Sequence, residues 1–297
     1  MSRDGRVMVD RQVAGEGRFP LLARELAVQL HRARTWVALL IPAGTAVSLV
    51  VIVGVVRPGG LQPIGTGVSI RLGMSGMAMP LVALNVGRFF VFPLVVALLA
   101  GESLSSEASW GTLRYLLGQP ISRQRVLAVK MLVALVLAVV ALAVSSCAAL
   151  GAGVALFGWH ALVVAVSNAR LSGGQQVYSV TGIASIGMIA SGTAVVAASM
   201  ASTFAFAGAV STVTDQPAIA VGSGLGFLMV SRALANVPGF SWMVGLLPTA
   251  YGKEWAHISA PGSGMGDLWR LLGVQAAYVA VFAALAFRRF VKQDPVV

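Results

Sequence analysis

The chain has 297 residues, of which 57% are hydrophobic and only 10% are charged, and its mean hydropathy is +0.86. A soluble domain carries about a quarter charged residues, and no soluble core needs several uncharged runs as long as a bilayer is thick. The net charge of +11 comes without the dense Lys/Arg run of a nucleic-acid-binding surface. The composition therefore indicates a membrane protein that does not bind nucleic acid.

The N-terminal part predicts a cytoplasmic tail, residues 1–18, and an amphipathic helix, residues 19–35. Residues 1–35 hold seven arginines and no apolar segment of the kind found in a cleavable signal peptide. Leu22, Leu26 and Leu30 repeat at helical spacing with the charged side chains on other faces, which suits the lipid headgroup layer. Trp36 would be an interfacial anchor. The alternative is an ordinary cytoplasmic helix.

The remainder predicts an all-α polytopic fold, with one six-helix transmembrane domain over residues 36–287 and a tail over 288–297. Each predicted span has close to or more than the roughly 20 residues that a crossing requires. The six spans are 36–56, 80–101, 127–157, 180–209, 217–234 and 270–287. The third and fourth exceed one crossing, and Gly151 and Gly153 mark a place where the third could bend or end.

Orientation follows from the basic residues near the span ends. With the N-terminus inside, 14 Lys and Arg residues lie in cytoplasmic segments and 5 in outer ones. Both termini are therefore expected in the cytoplasm. The outer segment 235–269 contains apolar pieces too short to cross, so a re-entrant or surface-lying segment would fit there.

Two further features concern helix packing. Small residues recur every fourth position along the fourth span, which predicts a close helix–helix interface. One stripe is Gly187, Ser191 and Val195, and the next is Ala190, Ala194 and Ala198. The single cysteine, Cys147, lies inside an apolar run. It excludes a disulfide within the chain, and a small buried thiol is its expected role.

Charges within the spans would point to an ion path, and the candidates are Arg88, Asp215 and Arg232. Arg88 would reach the outer surface if the second helix continues past Gly101. Asp215 is expected in a tight turn between spans four and five, and Arg232 near the outer end of span five. A proton-coupled transporter would find no clear intramembrane carboxylate among them.

The cytoplasmic segment 102–125, between the second and third spans, carries the strongest functional signal. Glu102 and Glu107 mark where the second helix meets water. An apolar stripe follows and is ringed by positive charge: Trp110, Leu113, Leu116 and Leu117, with Arg114, Arg123, Arg125 and Lys130. Such a stripe needs a surface against which it can be buried.

This segment resembles the cytoplasmic loop of type-two ABC exporter permeases, the antibiotic- and sodium-efflux family. The family pattern is Glu, Gly-Thr-Leu-Arg, Leu-Leu, Pro-x-Ser-Arg and Lys. It is matched in order and spacing by Glu107, Gly111, Thr112, Leu113, Arg114, Leu116, Leu117, Pro120, Ser122, Arg123 and Lys130. The likeness extends more loosely over the amphipathic helix, the six-span plan and Leu247-Pro248-Thr249.

The resemblance implies a complex in the bacterial plasma (inner) membrane. Two permease subunits, identical or related, would pair within the lipid, and two cytoplasmic ABC ATPase subunits would dock beneath them and bind the ATP and Mg. The loop would be a coupling helix that transmits closure of the ATPases to the spans. The coupling residues would be Glu102, Glu107, Trp110, Gly111, Thr112, Leu113, Arg114, Leu117, Pro120, Ser122 and Arg123.

The chain itself is not expected to be an enzyme or to hold a catalytic, cofactor or metal site. Residues 171–175 spell Leu-Ser-Gly-Gly-Gln, the signature of ABC ATPases, but the chain has no phosphate loop, so a coincidence in a Gly/Ser-rich turn is expected. His31, His160 and His257 are scattered without metal-ligand spacing. The alternative function is an ATP-independent secondary transporter or channel, and the sequence specifies no substrate.

Overall fold

The structure, a computed structural model, describes residues 18–56, 61–65, 68–72, 75–109, 123–167, 175–237, 239, 242–249 and 266–292. The helices are α1 (Arg18–Leu30), α2 (Ala33–Val56), α3 (Met79–Gly87), α4 (Val91–Ser109), α5 (Arg123–Phe157), α6 (Ile183–Ser199), α7 (Ala201–Ser211), α8 (Pro217–Ala235) and α9 (Gly266–Lys292). Short 3₁₀ turns lie at Gly76–Ala78 and Val244–Leu246. The strands are β1 (Leu61–Gly65), β2 (Val68–Arg71), β3 (Leu162–Ser167) and β4 (Gln175–Val180).

The mostly helical character predicted from the sequence is confirmed. In the described parts of the chain, five helices are long and apolar enough to cross a membrane, or six if a bent pair is counted as one crossing. Large apolar side chains on their outer faces are exposed, among them Leu40 and Val51 on α2 and Val136 and Val140 on α5. Such a surface is expected where lipid rather than water surrounds the helices.

Two of the crossings are interrupted. Where the sequence predicts one span over 80–101, the chain forms Gly76–Gly87 and Val91–Ser106, which meet at an angle of 63°. The span predicted over 180–209 is divided into α6 and α7 at Met200. A break frees backbone groups that the continuing helix would have satisfied, so each break needs polar partners from elsewhere.

A four-stranded antiparallel sheet, in the order β1-β2-β3-β4, is the element that the all-α expectation missed. β2 pairs with β3 through Val68 opposite Val166, which joins the segment after the first span to the segment after the third. The valine-rich run Leu162–Ser167 is a strand signal that was available in the sequence. Buried Val68, Ile70 and Val164 attach the sheet to the main core.

α5 runs without interruption from Arg123 to Phe157, so the bend that Gly151 and Gly153 suggested is absent. Gly153 has a different role. A Cβ on Gly76 would lie 2.4 Å from the backbone of Gly153 and Val154, so the two glycines allow the 3₁₀ turn before α3 to touch α5. Gly76 also donates its N–H to the carbonyl of Gly158, at 3.1 Å.

One smaller expectation was wrong and one was met only in part. Cys147 is exposed on the surface of α5 rather than buried. Of the small-residue stripes of α6, Ala190, Ser191 and Ala194 are exposed in the described part of the chain, whereas Val195 is buried. α6 packs through the face that carries Met188, Gly192, Val195 and Ser199.

Candidate functional site

The predicted coupling segment is anchored by the end of α4 and the start of α5. Among the predicted coupling residues, Glu102 alone has a described side chain; Glu107 lies in the last turns of α4 and Arg123 is the first residue of α5. Trp110, Gly111, Thr112, Leu113, Arg114, Leu117, Pro120 and Ser122 lie outside the described residues. The structure therefore describes the helix ends on either side of the loop and the contacts that hold them.

The first contact of this frame joins the end of the second span to the start of the first. The Glu102 carboxylate lies 3.0 Å from the guanidinium of Arg34, and both side chains are about a fifth exposed, at 22% and 23%. Arg34 is the second residue of α2. The ion pair therefore fixes the end of α4 against the point where the chain enters the membrane.

The second contact joins α1 to the start of the third span. The ammonium group of Lys130 lies 3.1 Å from the Glu25 carboxylate, and the Lys130 side chain is only 2% exposed. Gln29, one turn further along α1, donates to the same carboxylate at 3.1 Å. A buried ammonium group is tolerated only with close polar partners, so this pair is the polar anchor of α1 on α5.

The junction between α1 and α2 is fixed by side chains of α2. The hydroxyl of Thr35 donates to the carbonyl of Gln29 at 2.6 Å, and the indole N–H of Trp36 donates to the carbonyl of Leu30 at 2.9 Å. These bonds satisfy carbonyls that the end of α1 leaves open. Trp36 remains half-exposed, as an interfacial side chain would be.

Beneath the loop, Leu104 of α4 and Leu127 of α5 are buried against each other, with Met131 and Phe287 packed beside them. Phe287 lies near the end of α9. We call this region the loop frame: α1, the start of α2, the end of α4, the start of α5 and the end of α9. These contacts join α1 to four of the candidate crossing helices, α2, α4, α5 and α9, at one end of the molecule.

The loop frame and the sheet lie at opposite ends of the helices. Lys130 is near the start of α5, whereas β3 follows the end of α5, and 35 residues of helix rise about 52 Å. The strand pairing places the segments after the first and third spans at one end, and the ion pairs place α1 and the loop at the other. This is the alternation that the predicted topology requires.

A second polar region surrounds the break between α3 and α4. Arg232 of α8 donates from Nη2 to the carbonyl of Arg88 at 2.7 Å and from Nη1 to the carbonyl of Phe89. Arg88 itself is only 8% exposed, and its Nε donates to Oδ1 of Asn85 at 3.2 Å. Arg88 therefore does not reach the outer surface, as one continuous helix would have allowed, because α3 ends beside it.

The break between α6 and α7 is satisfied by one side chain of α9. The backbone N–H of Ser202 donates to Oε1 of the buried Gln275, at 2.9 Å. Nε2 of Gln275 donates to the carbonyls of Ser199 and Pro248, at 3.1 and 2.9 Å. Gln275 thus ties α6, α7 and the segment before α9 into one polar network.

A cavity of about 100 Å³ lies between these two breaks. Its polar lining comes from Arg88, Arg232, Ser199, Asn236 and Thr249. We call it the arginine cavity. Two charged side chains at a helix break are the kind of arrangement that marks a ligand or ion site within a membrane. No sequence pattern predicted that Arg88 and Arg232 would meet there.

Comparison with known proteins places most of the chain in one family model. A model described as "Protein of unknown function (DUF2705)" matches residues 69–296, from β2 to beyond α9. The matched range contains the predicted coupling loop and both arginines of the cavity. No curated protein matches the chain.

Proposed function

The chain belongs to the DUF2705 family of proteins of unknown function, and we propose that it is the membrane-spanning permease subunit of an ATP-driven exporter. Its role is to form the translocation pathway and to convert closure of a separate ATPase into motion of the spans. The observation that carries the proposal is the loop motif from Glu107 to Lys130, which resembles the coupling loop of type-two ABC exporter permeases.

The loop frame supports this function because it can transmit force. The described ends of the loop continue directly into α4 and α5, with no flexible connection between them and the spans. Two ion pairs and the Leu104–Leu127 contact hold those ends against the neighbouring helices. A force that reaches Ser109 or Arg123 would therefore act directly on α4 and α5.

The proposed complex contains two copies of an ABC ATPase and a second permease subunit, identical or related, within the lipid. ATP and Mg belong to the ATPase, since this chain lacks a phosphate loop: Gly252-Lys253 is followed by Glu254 and has no leading glycine. In the proposed complex the loop frame and both termini face the cytoplasm of a bacterial cell, and the excess of Lys and Arg in those segments supports this orientation.

Copurification tests the proposal. The tagged chain is isolated in mild detergent from membranes of its own organism, and copurifying proteins and ATP hydrolysis are measured. We expect an ABC ATPase in near-stoichiometric amount and hydrolysis that depends on it. Recovery of the chain with no ATPase, and without ATP-dependent transport, would contradict the proposal.

Two substitutions in the loop, one that reverses a charge and one that constrains the backbone, sharpen this test. Glu107→Lys or Gly111→Pro should abolish ATPase recovery or uncouple hydrolysis from transport, with the chain still inserted in the membrane. Asp215→Lys is the matched control, because Asp215 is an exposed carboxylate in the turn between α7 and α8, at the same end of the helices. If the loop variants behave like this control, the loop has no coupling role.

An ATP-independent secondary transporter or channel is the second candidate. The arginine cavity favours it, because paired intramembrane charges often lie on ion pathways. The two candidates differ in their energy source. Efflux that persists in ATP-depleted cells but collapses when a protonophore dissipates the proton gradient would select the second.

A further inference from the structure

The two interrupted crossings change their packing partners at the breaks. On the sheet side, α3 packs on α2 and α5, and α6 packs on α3 and α5, with Leu84 and Met188 in the main core. On the loop-frame side, α4 and α7 pack against each other and against α8, and α9 contacts both groups. Both breaks therefore lie on the boundary between two groups of helices.

The group of α4, α7 and α8 is joined tightly through small residues. A Cβ on Gly101 would lie 3.1 Å from the backbone nitrogen of Val221, and a Cβ on Gly224 would lie 2.9 Å from the Cβ of Ala207. Contacts this close to the backbone leave little room for sliding. We call these three helices the three-helix unit, because they are packed to move together.

The contacts of the three-helix unit with α2 and α5 near the loop are of a more adaptable kind. Leu104 of α4 meets Leu127 of α5 through apolar side chains, and such contacts have no preferred direction. The Arg34–Glu102 pair between α2 and α4 is about a fifth exposed, and a partly exposed pair separates at modest cost. Both contacts therefore allow a small displacement of α4.

Unfilled space lies beside both breaks. A cavity of about 290 Å³ adjoins the first break at Gly87 and Phe92. The arginine cavity adjoins the same break at Arg88 and Phe89, and it reaches Met200 at the second break. A smaller cavity of about 20 Å³ also lies at Met200. Protein interiors are otherwise close-packed, so this space gives the three-helix unit room to turn at the breaks.

The first break is fixed by the sequence and held by one long side chain. In a continuous helix the Phe89 carbonyl would accept from the N–H of residue 93, but Pro93 has none. Arg232 of α8 supplies a donor to that carbonyl and another to the carbonyl of Arg88. At the second break, Gln275 of α9 bonds Ser202 and Ser199. Flexible side chains of this kind can keep their bonds while the angle between helices changes.

We propose that the breaks at residues 88–90 and at Met200 are a pair of hinges, on which the three-helix unit swings as one body against α2, α3, α5, α6 and the sheet. Arg232 is the pin of the first hinge. The hinges themselves rest on the packing alone. Their role in transport rests on the proposed function, in which α4 carries the motion of the coupling loop into the unit.

Pulsed EPR distance measurements on the purified full-length chain in phosphatidylcholine nanodiscs test the hinges. Cys147→Ser removes the only cysteine, so spin labels attach only to introduced cysteines. The first pair, Leu156→Cys on α5 and Ile219→Cys on α8, spans the hinges. The matched pair combines Leu156→Cys with Leu40→Cys on α2, within the other group of helices. All three side chains are more than half exposed.

The two pairs should differ in the width of their distance distributions. Ile219 lies about 20 Å of helix rise from Arg232, so a swing of about 15° shifts it by about 5 Å. We expect the Leu156–Ile219 distribution to be wider than the Leu156–Leu40 distribution by about this amount. Equal widths would refute the hinges. Since neither ATP nor an ATPase is present, this result is independent of the copurification test.

Variants locate the motion. Pro93→Ala restores the missing N–H and should narrow the Leu156–Ile219 distribution to the width of the matched pair, whereas Pro42→Ala, inside α2, should leave it unchanged. Thermal unfolding identifies a variant that has lost its fold. Ala83→Leu, which fills part of the 290 Å³ cavity and keeps the proline, then replaces Pro93→Ala and should narrow the distribution too. A distribution that neither variant narrows, or that Pro42→Ala narrows equally, would refute the hinges.

Discussion

The two ends of α5 are held by different forces. At the start of α5, the buried Lys130 is paired with Glu25 of α1, and the neighbouring Glu102 is paired with Arg34. At the other end, Gly153 touches Gly76 backbone to backbone, and the strand that follows α5 joins the sheet. The first joint is electrostatic and the second is steric.

The difference bears on how the proposed lever works. A steric joint without side chains leaves little room for sliding, because interiors are close-packed, so the sheet end is suited to be the fixed end of α5. Ion pairs can separate and re-form at a modest free-energy cost when they are partly exposed. The partly exposed pair is Arg34–Glu102, which joins α4 to α2, whereas the Lys130–Glu25 pair of α5 is buried. Under the proposed function we therefore expect the loop end of α4 to move against α2 more easily than α5 moves against α1.

The largest effect is expected from breaking the buried pair. Glu25→Gln leaves the Lys130 ammonium group buried without its counter-charge and should lower the free energy of unfolding by about 3 kcal/mol. The measurement is thermal or denaturant unfolding of the purified chain in detergent micelles. Because the cost lies in the orphaned charge, adding Lys130→Met should recover most of the loss.

Asp267→Asn is the control for this prediction. Asp267 pairs with Arg270 at 3.9 Å, and these side chains are 40% and 72% exposed. An exposed pair contributes little, so this variant should change the free energy of unfolding by no more than about 0.5 kcal/mol. A Glu25→Gln variant as mild as this one would mean that the charged joint does not hold α1.

An intermediate effect is expected at the steric joint. Gly76→Ala places a Cβ 2.4 Å from the backbone of α5 and should destabilise the chain by about 2 kcal/mol. Gly151→Ala, two residues before Gly153, meets nothing within 4 Å. It should be neutral or stabilising by up to about 1 kcal/mol, since alanine favours helix. The same unfolding measurement compares the two variants. Equal changes in both would show that the contact between Gly76 and Gly153 does not stabilise the chain.

The smallest effect on stability is expected from the partly exposed pair. Glu102→Gln should cost about 1 kcal/mol or less, yet it should reduce coupled ATP hydrolysis if the pair transmits motion. Exchanging the charges, with Arg34→Glu and Glu102→Arg together, should restore both unfolding and hydrolysis. A double variant no better than either single change would show that the contact is incidental.

Much of the helical architecture was predictable because it follows from the hydropathy of each segment of the chain, which does not depend on distant residues. The helices α2, α5, α8 and α9 occur where long apolar runs predicted them. The first break was missed although Gly87, Arg88 and Pro93 lie beside it in the sequence, whereas the break at Met200 has neither Gly nor Pro beside it. Their free backbone groups are satisfied by Arg232 and Gln275, which lie far away in sequence.

The loop itself was found from its motif, but its supports were not. Glu25 and Arg34 looked like ordinary charges of an amphipathic segment, and nothing in their spacing pointed to Lys130 and Glu102. The sheet was missed for a related reason. Its two hairpins lie about 90 residues apart in the chain, on either side of two candidate crossings, and only their pairing gives the short strands enough partners to be stable.

The sequence by itself determined that the chain is mostly helical and that several of its helices are long and apolar enough to cross a membrane. These properties depend on composition and on local order along the chain. Tertiary structure alone decided that Lys130 is paired with a residue of α1, that Gly153 serves as a contact rather than a bend, and that two arginines 144 residues apart share one cavity. Such contacts depend on which segments meet in space. The role of a buried charge, a glycine or an interrupted helix can be assigned only when the groups packed against it are known.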